Sequence, residues 1–256
     1  MGRKNYPKRY KKRICNLANQ LLDIIKIEPV YIETSENERS YYMDKNNKLL
    51  YYILLVSFIG IFSWSLINPK DLFTWFLEVF PALIGLIVII FTFKRFRLSN
   101  LLYGLIWIHA IILVIGGHYT YAEMPLFNWL KDSLDLSRNY YDRLGHFFQG
   151  FVPAMITREI LLRKSTLEKG KLLNFIIVSI CLAISAMYEL IEWFVAELTG
   201  TAAEAFLGTQ GDIWDTQWDM FLALCGAIIS LIVISKLHDR NLRRENLLDS
   251  NKKSVT

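Results

Sequence analysis

Hydrophobic residues along this chain gather in long runs that carry almost no charge, separated by short polar connections. Six runs stand out: 49–68, 72–93, 101–122, 144–162, 172–197 and 218–235. The hydrocarbon core of a bilayer is about 30 Å thick, so a helix that crosses it needs roughly 20 residues. The first run has no formal charge. The second holds Glu78 and Pro81; a membrane helix tolerates such a proline where its neighbours satisfy the freed backbone group. The fourth carries Arg158 and Glu159 near one end, and the fifth and sixth carry acids toward their shared end. The pattern predicts an all-α, six-span transmembrane bundle over 49–235, with no separate soluble domain of useful size.

Ahead of the first run, residues 1–48 lack the apolar core of a signal peptide. Tyr10, Ile14, Leu17, Leu21 and Ile24 instead recur at helical spacing. Arg9, Lys11, Lys12 and Arg13 flank the start of this stripe, and Pro29 ends it. It reads as a basic amphipathic helix lying on an anionic inner leaflet, with a solvated basic tail as the alternative. Residues 126–138 read as a short interfacial helix with Trp129, Leu130 and Leu134 toward lipid.

Composition supports the membrane reading. Of 256 residues 53% are hydrophobic and 21% charged, which excludes a disordered, collagen-like or disulfide-rich secreted chain. The net charge of +5 invites a nucleic-acid partner, but no recognition motif accompanies it. Its distribution is more informative. Segment 1–48, the connections 94–100 and 163–171, and the tail 236–256 hold 24 of the 29 Lys and Arg residues, whereas 69–71, 123–143 and 198–217 hold four. By the positive-inside rule both termini face the cytoplasm of an inner (plasma) membrane protein. Cys15, Cys181 and Cys225 form no CxxC or zinc-ribbon spacing, and none is placed for an external disulfide. Membrane lipids are the expected partners; no protein partner can be named.

This topology brings polar residues to one depth, near the outer face. His118 ends the third span. Asp142, Arg143, His146 and Gln149 open the fourth. Glu189 and Glu192 lie near the outer end of the fifth, and Asp212, Asp215, Gln217 and Asp219 open the sixth. Asp142 and His146, Glu189 and Glu192, and Asp215 and Asp219 each sit three or four residues apart, on one helix face. An ionised side chain in hydrocarbon costs at least about 2.5 kcal/mol, so the three faces are expected to converge on a hydrated, outward-open pocket. Carboxylates with an imidazole can hold a divalent cation. Asp142, His146, Glu189, Asp215 and Asp219 are the candidate ligands. His146, Glu189 and Glu192 are candidate catalytic groups for acid–base work. Arg143, Gln149, His118 and Gln217 are candidate substrate contacts. Asp142, Asp212 and Asp215 also stand where helix N-caps stand. His109 reads as a packing residue, and Glu78 as a side chain that snorkels outward. Gly208-Thr209-Gln210-Gly211 reads as a plain turn.

At these residues the sequence resembles the YjdF family of bacterial inner-membrane proteins, a family of unknown function. The resemblance rests on His118-Tyr119-Thr120-Tyr121, on Tyr141-Asp142-Arg143-Leu144-Gly145-His146-Phe147, on Arg158-Glu159, and on Tyr188-Glu189-Leu190-Ile191-Glu192-Trp193. It continues through Gly208-Thr209-Gln210-Gly211-Asp212 and Trp214-Asp215-Thr216-Gln217 to His238-Asp239-Arg240. More distantly, spans four to six look like VanZ-type proteins, a group linked to glycopeptide resistance. Asp219 stands where that pattern has Asn, and Leu222 where it has its first Gly. The likeness implies a cell-envelope role and no particular reaction. Three readings remain: metal-dependent chemistry on a lipid-linked or phospholipid-like substrate, an ion-coupled transporter, and a non-catalytic lipid- or metal-binding protein.

Overall fold

The computed structural model describes residues 35–200 and 204–247, with side chains for 47–200 and 206–247. The chain divides into two compact units, Met1–Lys48 and Leu49–Thr256. The stripe at 9–27 lies outside the described residues, as does Cys15; Cys181 and Cys225 are free thiols. All regular structure among the described residues is helical: α1 (Ser35–Ser65), α2 (Leu72–Thr92), α3 (Asn100–Tyr119), α4 (Pro125–Ser133), α5 (Tyr141–Lys164), α6 (Lys171–Thr199), α7 (Glu204–Leu207), α8 (Asp215–Val233) and α9 (Ser235–Arg244).

Five of these, α1 from Asn47, α2, α3, α6 and α8, are long and apolar enough to cross a membrane. The helix expected as the fourth span, α5, has 24 residues and ample length, but its polar side chains keep it out of that group. Its environment explains the difference. Glycine, alanine and charged positions alike are buried along α5, because α3, α6 and α8 all pack against it. α1 starts well before the expected residue 49, since no Gly or Pro interrupts 35–59 and the helix runs on past its apolar part.

Local chemistry sets the ends. Asp71 caps α2, its carboxylate accepting from Thr74 N–H at 2.7 Å. Pro81 sits inside α2 without breaking it. Where a short interfacial helix is expected over 126–138, a helix is present, α4, opening on Pro125 and exposing Leu126 and Trp129, with Leu134 exposed just past its end. After α3 the chain turns through Thr120 and Tyr121 at positive φ. The Tyr121 ring then folds back over Gly116 and Gly145, where an added Cβ would stand 2.3 and 2.9 Å from it. Two glycines let α5 and α8 touch: a Cβ on Gly150 would meet the Ala223 carbonyl oxygen at 1.8 Å, and one on Gly226 that of Phe147 at 2.0 Å. Small residues permit this close crossing, as is usual between membrane helices.

At the other end of α5 a buried polar network fixes α9. Arg158 Nη1 lies 2.8 Å from His238 Nδ1, and His238 Nε2 lies 2.9 Å from Glu159. Arginine only donates, so Nδ1 accepts and the imidazole proton sits on Nε2, donating to Glu159. Glu159 also accepts from Ser99 N–H and from Arg163. Glu159 and Arg163 thus pair one turn apart on α5, while Lys164 lies over the Phe96 ring. Asp239 completes the network with Arg158 at 2.8 Å and Lys169 at 2.7 Å. Burial works against the Asp239 charge, yet these two cations hold its carboxyl below the usual range.

Candidate active site: an acidic cluster around His146

The first turns of α5 and α8, the C-terminal part of α6 and the loop before α8 lie at one end of the bundle. Asp142 and His146 occupy successive turns of α5; Asp215 and Asp219 do the same on α8, and Glu189 and Glu192 project from one face of α6. All six side chains are buried. The 208–212 loop is tied to the start of α5 by Gln210, which accepts from Asn139 N–H and donates to Asn139 C=O, both at 2.9 Å. Gly208, at positive φ, brings its backbone against the Asp142 carboxyl and accepts from Arg138 at 2.9 Å.

Two arginines organise the acids. Arg143 donates to Asp212 at 3.0 Å, to Asp215 at 2.7 Å and to Asp219 at 2.8 Å, and also reaches the Asp215 carbonyl. Arg138 donates to Asp215 and lies 3.6 Å from Asp142. A cavity of about 570 Å³ opens on both guanidiniums and is bordered by Tyr140, Gln210, Trp218 and Leu222. Behind Arg143 stands His146. Its Nδ1 is 3.1 Å from Gln149 Oε1 and 3.6 Å from Glu189 Oε1, an oxygen that is buried and accepts no hydrogen bond. Its Nε2 is 3.4 Å from Asp142 Oδ1 and 3.9 Å from Asp219 Oδ1. Thr216 hydrogen-bonds Glu189, and Glu192 lies within electrostatic reach of the imidazole.

Both ring nitrogens of His146 thus face oxygens, while a neutral imidazole has one N–H. With Gln149 Oε1 as the acceptor at Nδ1, the Nε2 lone pair points at two carboxylates. A second proton or a cation is needed there to turn repulsion into attraction. Ligand atoms of Asp142, His146 and Asp219 lie within 4.8 Å of one another. Two ligands each about 2.1 Å from one ion are at most about 4.2 Å apart, and both Nε2–carboxylate distances fall inside that limit. The charge balance points the same way. Among the described residues, the cationic groups beside buried Glu78, Asp142, Glu189, Glu192, Asp215 and Asp219 are Arg138, Arg143 and His146.

The expected site residues divide cleanly. Asp142, Arg143, His146, Gln149, Glu189, Glu192, Asp215 and Asp219 come together. Two expected substrate contacts do not join them. His118 lies tilted against the Trp64 ring, 4.4 Å between centroids, and places Nδ1 2.9 Å from the Ser65 carbonyl, so it ties α3 to α1. Gln217 is exposed, on the side of α8 away from Asp215 and Asp219. Glu78 does not snorkel: it is buried, interacts electrostatically with Asp142 and His146, and its Cβ packs near Gly117. Arg138, read from sequence only as the end of an interfacial segment, is a full member. Gly208-Thr209-Gln210-Gly211 forms a turn, as expected, with Asp212 N–H donating to Thr209 C=O.

Comparison with known proteins places this arrangement in context. The model of the family described as predicted membrane protein (DUF2238) matches residues 50–240. The chain is 47% identical over 203 residues to the inner membrane protein YjdF of Escherichia coli (strain K12), covering 79% of this chain and 94% of that protein. No solved structure matches the chain.

Proposed function

This chain belongs to the DUF2238 family of predicted membrane proteins, and from that premise we propose that its acidic cluster is a divalent-cation site that works on a lipid-linked or phospholipid-like envelope substrate. α5, packed against α3, α6 and α8, adds a span to the five apolar ones and is the fourth in chain order, and both termini face the cytoplasm. The cluster then opens outward, where the −4 net charge of the outer connections meets the periplasmic or external face and the inner side carries +14.

The observation that carries this reading is the Nε2 face of His146, turned to Asp142 and Asp219 while Gln149 holds the opposite nitrogen. Metal-ligating histidines commonly have their second nitrogen held in this way, which fixes ring orientation and raises ligand basicity. A cation bound there would neutralise carboxylates that otherwise repel, and would supply Lewis-acid polarisation of a phosphoryl or carbonyl oxygen. The chain's own groups divide the remaining work. Arg143 and Arg138 border the open cavity and orient the acids of α8. Glu189, with an unengaged oxygen, is placed to take or give a proton. Trp218 and Leu222 give the cavity an apolar side suited to the hydrocarbon part of a lipid-linked substrate.

The test has two parts. Purified protein titrated with Zn²⁺, Mn²⁺ or Mg²⁺ should bind one equivalent, and Asp219→Asn and His146→Ala should bind none. Membranes from cells expressing the wild type should differ in lipid mass spectra from those expressing Glu189→Gln at equal level. Absence of stoichiometric binding for every ion sinks the metal site. Identical lipid profiles sink the chemistry.

A further inference from the structure

A second cavity lies away from the acidic cluster, between α1, α2 and α3. It has a volume of about 330 Å³, and its walls are carbon: Leu54 and Phe58 from α1, Leu86 and Ile89 from α2, Ile106 and Trp107 from α3. The polar atoms that could have faced it are engaged elsewhere. Tyr51 Oη donates to Asn100, Tyr103 Oη accepts from Leu98 N–H, and Trp107 Nε1 donates to Ser57. The cavity opens to the surface past exposed Leu55 and Ile90, and its walls offer water very little to hydrogen-bond, since an ordered water needs two to four polar partners. An empty space of this size would forfeit dispersion contacts along its whole lining. Hydrocarbon is the occupant that fits.

Length and charge narrow the kind of hydrocarbon. Along α2 the cavity runs from Ala82 to Phe93, about 16 Å at 1.5 Å per residue. Half of a bilayer's hydrocarbon core is about 15 Å, the depth of one leaflet's acyl chains. At the Phe93 end the chain turns through Lys94 and Arg95, both exposed, and neither has an ion-pair partner among the described residues. Arg97, by contrast, is partly neutralised by Glu245 at 3.7 Å. We propose that this cavity is a slot for one acyl chain of an anionic phospholipid, with the phosphate headgroup held by Lys94 and Arg95. The slot is independent of the acidic cluster and requires only that the helices span a membrane.

The full-length protein released from nanodiscs containing equal phosphatidylglycerol and phosphatidylcholine is examined by native mass spectrometry. One phosphatidylglycerol should remain bound per chain. Ala110→Phe, which fills the slot, should abolish retention, while Lys94→Gln with Arg95→Gln should lower the preference for the anionic lipid about tenfold or more, as expected for two charges near the surface. Equal retention of both lipids by the wild type, retention of a fatty-acid mass alone, or unchanged retention by Ala110→Phe overturns the proposal. If Ala110→Phe does not fold, the exposed Lys94 and Arg95 substitutions decide it, and an unchanged preference there refutes it.

Discussion

Gln149 shows how one neutral side chain can set the chemistry of a charged cluster. Its Oε1 faces His146 Nδ1, which commits Nε2 to Asp142 and Asp219. Gln149→Leu removes that constraint while leaving every candidate ligand in place, and supporting residues of this kind typically contribute 10–100-fold to metal affinity. Calorimetric titration should show a loss of that size; unchanged affinity means the ring is held by packing alone. Asp71 offers a second test, outside the membrane. The Thr74 backbone N–H, then the Thr74 side chain, lower its carboxyl below the usual aspartate value. A lowered folded-state pKa contributes stability above about pH 4, where the unfolded carboxyl is ionised, and loses it as pH falls through the folded value. Asp71→Ala should therefore cost about 1 kcal/mol at neutral pH, and its melting temperature should converge with the wild type below pH 4. Residues such as Asp142 and Glu189 were legible in the sequence because their helical spacing pairs them with neighbours. Glu78 and Arg138 were not. Glu78 meets Asp142 and His146 from another helix, and Arg138, in the connection before α5, makes its closest pair with Asp215 on α8; only the cost of a lone acid in an apolar run pointed to Glu78.

At the scale of elements, α5 is the piece on which the site depends. It presents Asp142, Arg143 and His146 at one end and Arg158 and Glu159 at the other, with Gly150 at its crossing with α8. The same polar load made its span the least apolar of the six in the sequence, although its boundaries were still visible. Hydropathy records what a helix would cost facing lipid, and α5 faces other helices instead. The crossing itself left no trace that sequence reasoning used, since two glycines in different spans announce nothing about each other. Gly150→Ala must push α8 away, because no side-chain rotation relieves a clash with a backbone carbonyl. The expected loss is about 1–3 kcal/mol, with metal binding lost as well, because Asp219 moves with α8. Gly85→Ala is the matched control: a Cβ there meets nothing within 4 Å, so replacing a mid-helix glycine should raise stability slightly. Equal behaviour of the two variants in thermal melts would show that the crossing is not close.

Across the whole molecule, the two ends of the bundle differ in what their buried charges leave unsatisfied. At the end that holds Arg158, the acids Glu159 and Asp239 meet Arg163, His238, Arg158 and Lys169, and each carboxyl has close partners. At the other, six buried carboxyls outnumber their cations. The first arrangement fixes helices; the second is suited to take up protons or a metal ion. The connections repeat the asymmetry, since 94–100 and 163–171 are basic and 123–143 and 198–217 are acidic. In the orientation proposed above, positive-inside sorting would put the satisfied end in the cytoplasm and the acidic end outside. Exposed Asp132, on α4, and Glu168, in the turn before α6, report the two sides. In a chain whose three native cysteines are changed to serine, Asp132→Cys should react with a membrane-impermeant maleimide in intact cells. Glu168→Cys should react only after the membrane is opened. The reverse pattern would turn the acidic cluster inward and remove an external substrate from consideration, while leaving its capacity for a cation untouched.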